Sequence, residues 1–286
     1  MFAGLAFAVM WSSAFTSARI IVASAPPVSA LALRFLISGL LGVLIAYLLG
    51  QTWRLTRGQW RATIIFGICQ NALYLGLNFV AMQTVEASLA AIIASTMPLL
   101  VGLAGWLIFG ERIGTLGLAG LVAGVIGVTV IMWARLGGGV DMYGIGLCVI
   151  GVIALTFATL AVRGATSGGN YLMVVGLQML VGSAVLAVVA ITTEKLVIDW
   201  SWQLIVAFVY TTLVPGLGAT LVWFWLVNRI GAVKAATFHF LNPFLGVAIA
   251  AMILAEPLGL REALGVLVIA LGILAVQMSR QAPSQP

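Results

Sequence analysis

Charged side chains are scarce in this sequence. Its 286 residues include 13 Lys and Arg and 7 Asp and Glu, so only 7% are charged, while 63% are hydrophobic. Soluble domains carry about 25% charged residues, and a water-exposed shell cannot be built from so few. The sequence therefore predicts an all-α membrane protein with several spans, its surface covered mostly by lipid. The same composition excludes a disordered chain, and the scattered basic residues exclude a nucleic-acid partner.

Histidine and cysteine are equally rare. One His and two Cys are too few and too far apart for a metal site, so neither a metal nor a cofactor is predicted. Cys69 and Cys148 lie in apolar runs and are expected to be small core residues. The sequence has no paired acids and no nucleophile beside a base, which argues against an enzyme.

Acidic residues are missing from the middle of every apolar run. All seven map to connections or run ends: Glu86, Glu111, Asp141, Glu194, Asp199, Glu256 and Glu262. A carrier of lipophilic cations usually needs a buried carboxylate as counter-ion. The sequence thus predicts a neutral or zwitterionic solute. His239 is then the only mid-span group that could exchange a proton near neutral pH, so proton coupling is not expected.

Turn residues and charges divide the chain into ten apolar segments. A bilayer core of about 30 Å needs about 20 helical residues, which each segment supplies. The predicted spans are 2–23, 28–49, 60–82, 87–108, 114–134, 142–163, 170–191, 202–226, 233–254 and 260–279.

The basic residues of the connections predict the orientation, because cytoplasmic loops carry an excess of Lys and Arg. With the N-terminus inside, eight lie in the cytoplasm: Arg54, Arg57, Arg61, Arg112, Arg163, Arg229, Lys234 and Arg280. Three lie outside: Arg135, Lys195 and Arg261. This bias predicts a multi-pass protein of the bacterial inner membrane with both termini in the cytoplasm.

The two halves share features at a constant offset of 145 residues. The coinciding pairs are Pro98 and Pro243, Glu111 and Glu256, Gly120 and Gly265, and Gly127 and Gly272. Each half has five spans, so the halves enter the membrane from opposite sides. We predict two inverted five-helix repeats around a central cavity, at 1–135 and 142–280, with a cytoplasmic tail at 281–286.

Polar and aromatic residues inside the predicted spans are the candidates for binding solute. Offsets of three and four place Asn71, Tyr74 and Asn78 on one face of the third span. Such a face either lines a substrate path or ties helices together. The other candidates are Trp11 and Ser12 in the first span, Tyr210 in the eighth, and His239 and Asn242 in the ninth. An aromatic-lined cavity would suit a flat apolar solute.

Prolines near the middle of spans are candidate hinges. Proline removes a backbone donor, so Pro98 and Pro243 predict kinks that are either gates or purely structural bends. Pro215 and Gly216 in the eighth span are a further candidate hinge. The third span, which is the equivalent span of the first half, has no matching residues. Gly120 and Gly124 allow close helix packing, either within one chain or between two, so monomer and homodimer both remain open.

Arg34 lies about 10 Å below the start of the second span, at 1.5 Å per residue. It could bind a carboxylate or the end of a helix. We expect instead that its side chain snorkels to the membrane interface.

Several runs resemble one repeat of the EamA family: Asn71-Ala72-Leu73-Tyr74, Met97-Pro98-Leu99, Phe109-Gly110-Glu111-Arg112 and the Gly120 to Gly127 segment. Asn242-Pro243 followed by Ala255-Glu256 resembles the second repeat, and Trp11-Ser12 and Arg34-Phe35 also match. The resemblance covers the whole chain. It implies the drug/metabolite transporter superfamily, with ten spans, and is closest to YddG-type exporters of aromatic and neutral amino acids. The family also carries sugars, nucleosides and other metabolites.

The combined prediction is a secondary carrier. It exports small neutral or zwitterionic metabolites, including aromatic amino acids, by alternating access and without an energy source other than the solute gradient. The alternatives are an exporter of nucleosides, sugars or drugs within the same family, and a channel or lipid-translocating protein. A channel would be expected to show a filter or rings of charge, and the sequence shows neither.

Overall fold

The structure is a computed structural model that describes residues 2–110, 114–136, 141–161, 169–230, 237–257 and 259–281. These ranges are helical and contain no strand. A helix satisfies its backbone polar groups internally, which lipid requires of any spanning segment. The apolar runs of the sequence therefore fold as helices and not as the strands that similar residues form in water.

Thirteen α-helices are described, together with two π-helices and one 3-10 helix. The first half contains α1 (Phe2–Val22), α2 (Pro27–Leu48), α3 (Arg57–Phe66), the first π-helix (Gly67–Tyr74), α4 (Leu75–Ala81), α5 (Ala87–Ser95), α6 (Met97–Phe109) and α7 (Thr115–Leu136). The second half contains α8 (Met142–Ala161), α9 (Tyr171–Thr193), α10 (Trp202–Thr211), the second π-helix (Thr212–Gly218), α11 (Ala219–Ile230), the 3-10 helix (Thr237–Leu241), α12 (Asn242–Leu254) and α13 (Leu260–Gln281).

Apolar helices occupy all ten predicted segments. Eight of them are long and apolar enough, within the described ranges, to cross a membrane. Two are shorter, Thr115–Ile131 and Phe238–Leu254, and lie at the predicted fifth and ninth spans. The described part of the chain is thus helical, and the protein is a multi-pass membrane protein.

The two prolines of the predicted fourth and ninth spans stand where each span is interrupted. Pro98 is the second residue of α6, which follows α5 after Thr96. Pro243 is the second residue of α12, which follows the 3-10 helix. Proline fits the first turn of a helix, because the amide it lacks has no partner there. The expected kinks are therefore places where one helix ends and another begins.

A π-helix widens the predicted third and eighth spans. The second contains Pro215 and Gly216, both of which are buried. The first has no proline, yet it begins at Gly67, 145 residues before Thr212. A Cβ atom at Gly67 would lie 2.7 Å from the carbonyl oxygen of Gln178 in α9, so this π-helix packs closely on its neighbour. The π-helix of the eighth span thus has a counterpart in the third span, which the sequence did not show.

The described chain forms two compact units. The first draws on Met1–Thr16, Val85–Met142 and Val222–Pro286, and the second on Ser17–Thr84 and Tyr143–Leu221. Each unit contains helices from both halves of the sequence.

In the first unit, α7 and α13 cross through glycines. A Cβ atom at Gly272 would lie 2.7 Å from the carbonyl oxygen of Gly120, and one at Gly127 would lie 2.9 Å from that of Gly265. The glycine pattern around Gly120 therefore serves packing within one chain.

In the second unit, α2 and α9 pack by the same device. A Cβ atom at Gly176 would lie 3.0 Å from the carbonyl oxygen of Gly39, and Ser183 donates a hydrogen bond of 2.8 Å to the carbonyl of Ala32. Each helix also receives an acceptor at its N-terminus from the end of the other. Glu194 accepts from the amide of Val28 at 2.9 Å, and Gln51 accepts from that of Met173 at 3.1 Å. These caps fix the helix ends against each other.

Candidate functional site

Four rings meet in the first unit, and we call them the aromatic cluster: Phe7 and Trp11 on α1, Trp223 on α11, and His239 in the 3-10 helix. The His239 ring centre lies 5.2 Å from those of Phe7 and Trp223 and 6.0 Å from that of Trp11, in edge-on geometries. Such tilted and edge-on arrangements are favoured between aromatic rings. Phe7 is 1% exposed, whereas the other three rings are half-buried, so the cluster keeps an accessible side.

A polar chain borders the aromatic cluster. The Ser12 hydroxyl lies 3.4 Å from the amide oxygen of Asn242, whose amide nitrogen lies 2.9 Å from Nδ1 of His239. With its oxygen facing Ser12, Asn242 donates to Nδ1, and the neutral imidazole then carries its proton on Nε2. Ser12 and Asn242 are both buried. The chain fixes the imidazole in place and leaves one donor, Nε2–H, for another partner.

The sequence explains why these residues meet. Pro243 cannot donate a backbone hydrogen bond, so α12 begins at Asn242 and the preceding turn is a 3-10 helix that carries His239. Gly4 allows α1 to approach this turn, because a Cβ atom there would overlap the ring of Phe238. Small residues of this kind let helix backbones come close in membranes.

The arrangement offers features that bind a solute. It combines flat apolar rings with one fixed donor, and no group of three His, Cys, Asp or Glu that could hold a metal occurs in the part of the chain that the structure describes. A flat solute with an acceptor group matches these features. Of the candidates, Trp11, Ser12, His239 and Asn242 lie together here. Phe7 was not among them, although its offset of four from Trp11 is the signal that could have revealed it.

The polar residues of the predicted third span lie in the second unit. Asn71 donates a hydrogen bond of 2.9 Å to the carbonyl of Gln178 in α9. Asn78 donates one of 2.8 Å to the carbonyl of Tyr74, and both residues pack against Gly151 in α8. The three side chains are buried, and they contact different neighbouring helices. The Oδ1 atom of Asn78 has no hydrogen-bond partner among the residues that the structure describes.

Tyr210 belongs to α10 in the second unit and is half-buried. The candidate hinges fall in both units. Pro98 and Pro243 lie in the first, and Pro215 and Gly216 in the second, and all four are buried.

Arg34 departs from expectation. Its side chain is only 5% exposed, and its guanidinium carbon lies 5.1 Å from the ring centre of Phe35. The expectation that it snorkels to the interface is therefore wrong. Arg34 shares a face of α2 with Ser38. The Ser38 hydroxyl donates a hydrogen bond of 3.2 Å to the carbonyl of Thr212 in the second π-helix. This face of α2 therefore packs against protein.

Comparisons with known proteins agree on one family. The model of the EamA-like transporter family matches the chain twice, at residues 1–133 and 142–278. The "Uncharacterized transporter YvbV" of Bacillus subtilis is 29% identical over 280 residues, which cover 97% of this chain and 92% of the relative. The "Uncharacterized inner membrane transporter YedA" of Escherichia coli K12 is 29% identical over 274 residues, which cover 92% of this chain and 86% of the relative.

A solved structure shares the fold. It is described only as "Crystal structure of protein" and matches with a TM-score of 0.70 at 21% identity, covering 98% of each chain.

Proposed function

The chain belongs to the EamA-like transporter family, and we propose that it is a secondary carrier that exports small neutral or zwitterionic metabolites, among them aromatic amino acids, by alternating access. The observation that carries the choice of solute is the aromatic cluster, whose half-buried rings surround one fixed donor. YvbV and YedA are both named transporters, which supports a transport function.

We propose that ten spans form two inverted repeats. Three irregular features recur at the offset of 145: the interruptions at Thr96 and Leu241, the π-helices that begin at Gly67 and Thr212, and the left-handed residues Gly110 and Ala255. Irregular backbone within a span, as in the first two of these features, is costly in lipid unless protein or water satisfies its polar groups. It marks the discontinuous helices on which many carriers build their solute sites.

The crossing of α7 and α13 supports the inverted arrangement. Gly120 is equivalent to Gly265 by the offset, and Gly127 is equivalent to Gly272. Gly120 packs on Gly272 while Gly127 packs on Gly265, so each contact is repeated with the roles exchanged. A two-fold axis relating antiparallel helices produces this exchange. Two such halves can close either end of a central cavity in turn, with Pro98, Pro243, Pro215 and Gly216 as the hinges.

Counterflow tests the carrier function. The purified protein is reconstituted into sealed vesicles loaded with unlabelled L-tryptophan, and entry of labelled L-tryptophan is followed. A carrier gives saturable uptake that the internal solute accelerates, whereas a channel gives neither. Competition by unlabelled phenylalanine, threonine, uridine and glucose then ranks the solute classes. We expect phenylalanine to compete best.

Two further measurements use the same vesicles. Trp223→Ala removes one ring of the aromatic cluster, worth roughly 0.5–1.5 kcal/mol, and should raise the half-inhibitory concentration of phenylalanine by about 2–12-fold. Trp53→Ala is the control, because Trp53 is 63% exposed on a connection. Equal inhibition of both variants would refute the assignment of the cluster.

We also propose that export is driven by the solute gradient alone. Uptake that requires an imposed pH gradient would refute this passive mechanism.

A further inference from the structure

A cation is buried in the second unit without a counter-charge. Arg34 is 5% exposed, its Nε atom has no hydrogen-bond partner, and no ion pair to it occurs among the described residues. An unpaired charge in the interior of a membrane protein is strongly unfavourable, and such residues commonly mark the path of a substrate or an ion. We therefore looked to a ligand for the negative charge that would pair with Arg34.

The acidic residues of the second unit do not supply one. This unit contains only two, Glu194 and Asp199. Glu194 is held at the N-terminus of α2, where it accepts from the amides of Val28 and Ser29 and from the Ser29 hydroxyl at 2.7–2.9 Å. Asp199 is exposed on the connection before α10. Neither carboxylate is within ion-pair distance of Arg34.

The guanidinium of Arg34 lies close to the backbone of Gly216. The position that a Cβ atom of Gly216 would occupy lies 3.7 Å from Nη2 of Arg34, 3.3 Å from the Ser38 hydroxyl and 3.1 Å from the carbonyl oxygen of Thr211. Gly216 belongs to the second π-helix, where Pro215 has no amide hydrogen to donate. A guanidinium and a hydroxyl thus lie beside a glycine of the second π-helix, where no side chain covers them.

We propose that Arg34 binds the carboxylate of the transported solute, an inference that rests on the transport function proposed above. The planar guanidinium matches a carboxylate with two parallel hydrogen bonds. One cation balances the single charge of a carboxylate, whereas a phosphate monoester carries nearly two. Arg19, which also lies near a span end in this unit, already donates to the carbonyl of Met82. The solute class is therefore narrowed to carboxylate-bearing zwitterions, which excludes nucleosides and sugars.

Competition with paired analogues tests this assignment on the full-length protein in vesicles. L-Tryptophan and L-tryptophanamide differ in the carboxylate and share the indole and the amine. The wild-type protein should prefer L-tryptophan by about tenfold or more, as expected for charge-assisted hydrogen bonds. Arg34→Gln should abolish the preference, and Arg34→Lys should retain part of it. Arg19→Gln, the matched control, should keep it. Equal competition by the two analogues, or an unchanged preference in Arg34→Gln, would overturn the proposal.

Thermal unfolding of the purified protein separates binding from a structural role. An unpaired buried cation destabilises the empty protein, so Arg34→Gln should melt no lower than the wild type, whereas Arg19→Gln should melt lower. Indole-3-acetate should raise the melting temperature of the wild type and not that of Arg34→Gln. If Arg34→Gln melts at a lower temperature than the wild type and indole-3-acetate still raises its melting temperature, Arg34 has a structural role and does not bind the carboxylate.

The unfolding assay also distinguishes this proposal from the proposed function. If no solute gives counterflow but indole-3-acetate protects through Arg34, the transport function fails and the carboxylate site stands. If inorganic phosphate protects as well as indole-3-acetate, the site does not select a carboxylate and the proposal is overturned. Absence of protection by either anion also overturns it.

Discussion

Ala255 ends α12 in a conformation that L-residues rarely adopt. Its φ of 54° makes it the only non-glycine residue with positive φ in the ranges that the structure describes, and the equivalent residue in the first half is Gly110, with φ of 65°. The turn at Ala255 brings Glu256 to the N-terminus of α5, where its carboxylate accepts from the amides of Ala87 and Ser88 at 2.8 and 2.9 Å. The capping contact therefore depends on a strained residue.

Ala255→Gly should stabilise the protein by about 1 kcal/mol, because glycine adopts left-handed backbone without the Cβ clash. Thermal unfolding in detergent measures the change. Ala250→Gly is the control, since Ala250 lies fully buried inside the same helix and should lose stability when its methyl group is removed. A loss of stability in both variants would show that the turn is not strained.

The sequence identified most residues around the aromatic cluster but not their arrangement. Trp11, Ser12, His239 and Asn242 could be selected because polar and aromatic groups deep in an apolar run are conspicuous. Their meeting could not be predicted, since it depends on how α1 packs against the turn before Pro243. Arg34 was misjudged for the same reason. A sequence indicates the depth of a residue along its span, but not whether lipid or protein lies beside it.

Helices α7 and α13 are held together by backbone contact. Gly272 lies where a Cβ atom would meet the Gly120 carbonyl oxygen at 2.7 Å and the Gly124 amide nitrogen at 2.9 Å. Both atoms are backbone, so neither can move aside as a flexible side chain could. Close approach of this kind replaces the hydrophobic driving force that helices lack within lipid.

Gly272→Ala should therefore destabilise the protein by about 1–3 kcal/mol, the usual cost of overpacking. Gly146→Ala is the matched control, because Gly146 lies in α8 with no atom within 4 Å of its Cβ position. That substitution should be neutral or stabilising, as alanine favours helix. Detergent unfolding curves compare the two variants. Equal effects would show that the crossing tolerates a side chain at Gly272.

The positions of the helices followed from the sequence more closely than their irregularities. Long apolar runs bounded by Gly, Pro and charges predict a span to within a few residues, since bilayer thickness sets its length. The interruptions at Thr96 and Leu241 could be anticipated from the prolines that follow them. The first π-helix could not, because no residue within Gly67–Tyr74 forbids a regular α-helix. It begins where Gly67 packs closely against α9, a contact that the sequence does not show.

At the scale of the whole molecule, the compact units differ from the halves of the sequence. The first unit joins α5, α6 and α7 with α12 and α13, and the second joins α2, α3 and α4 with α8, α9 and α10. Equivalent helices such as α2 and α9, or α7 and α13, pack against each other. An offset in sequence reveals which segments are similar, whereas only the structure shows which segments pack together.

The central claim is that the two halves cross the membrane in opposite senses, and labelling of single cysteines tests it directly. Trp53 and Val197 are exposed, at 63% and 70%, on the corresponding connections of the two halves. Trp53→Cys and Val197→Cys, each in a variant with Cys69 and Cys148 replaced by Ala, are treated with a membrane-impermeant maleimide. In intact cells, we predict that Val197→Cys is labelled and that Trp53→Cys is labelled only after permeabilisation. Labelling of both from the same side would contradict the inverted repeat and the alternating-access carrier built on it.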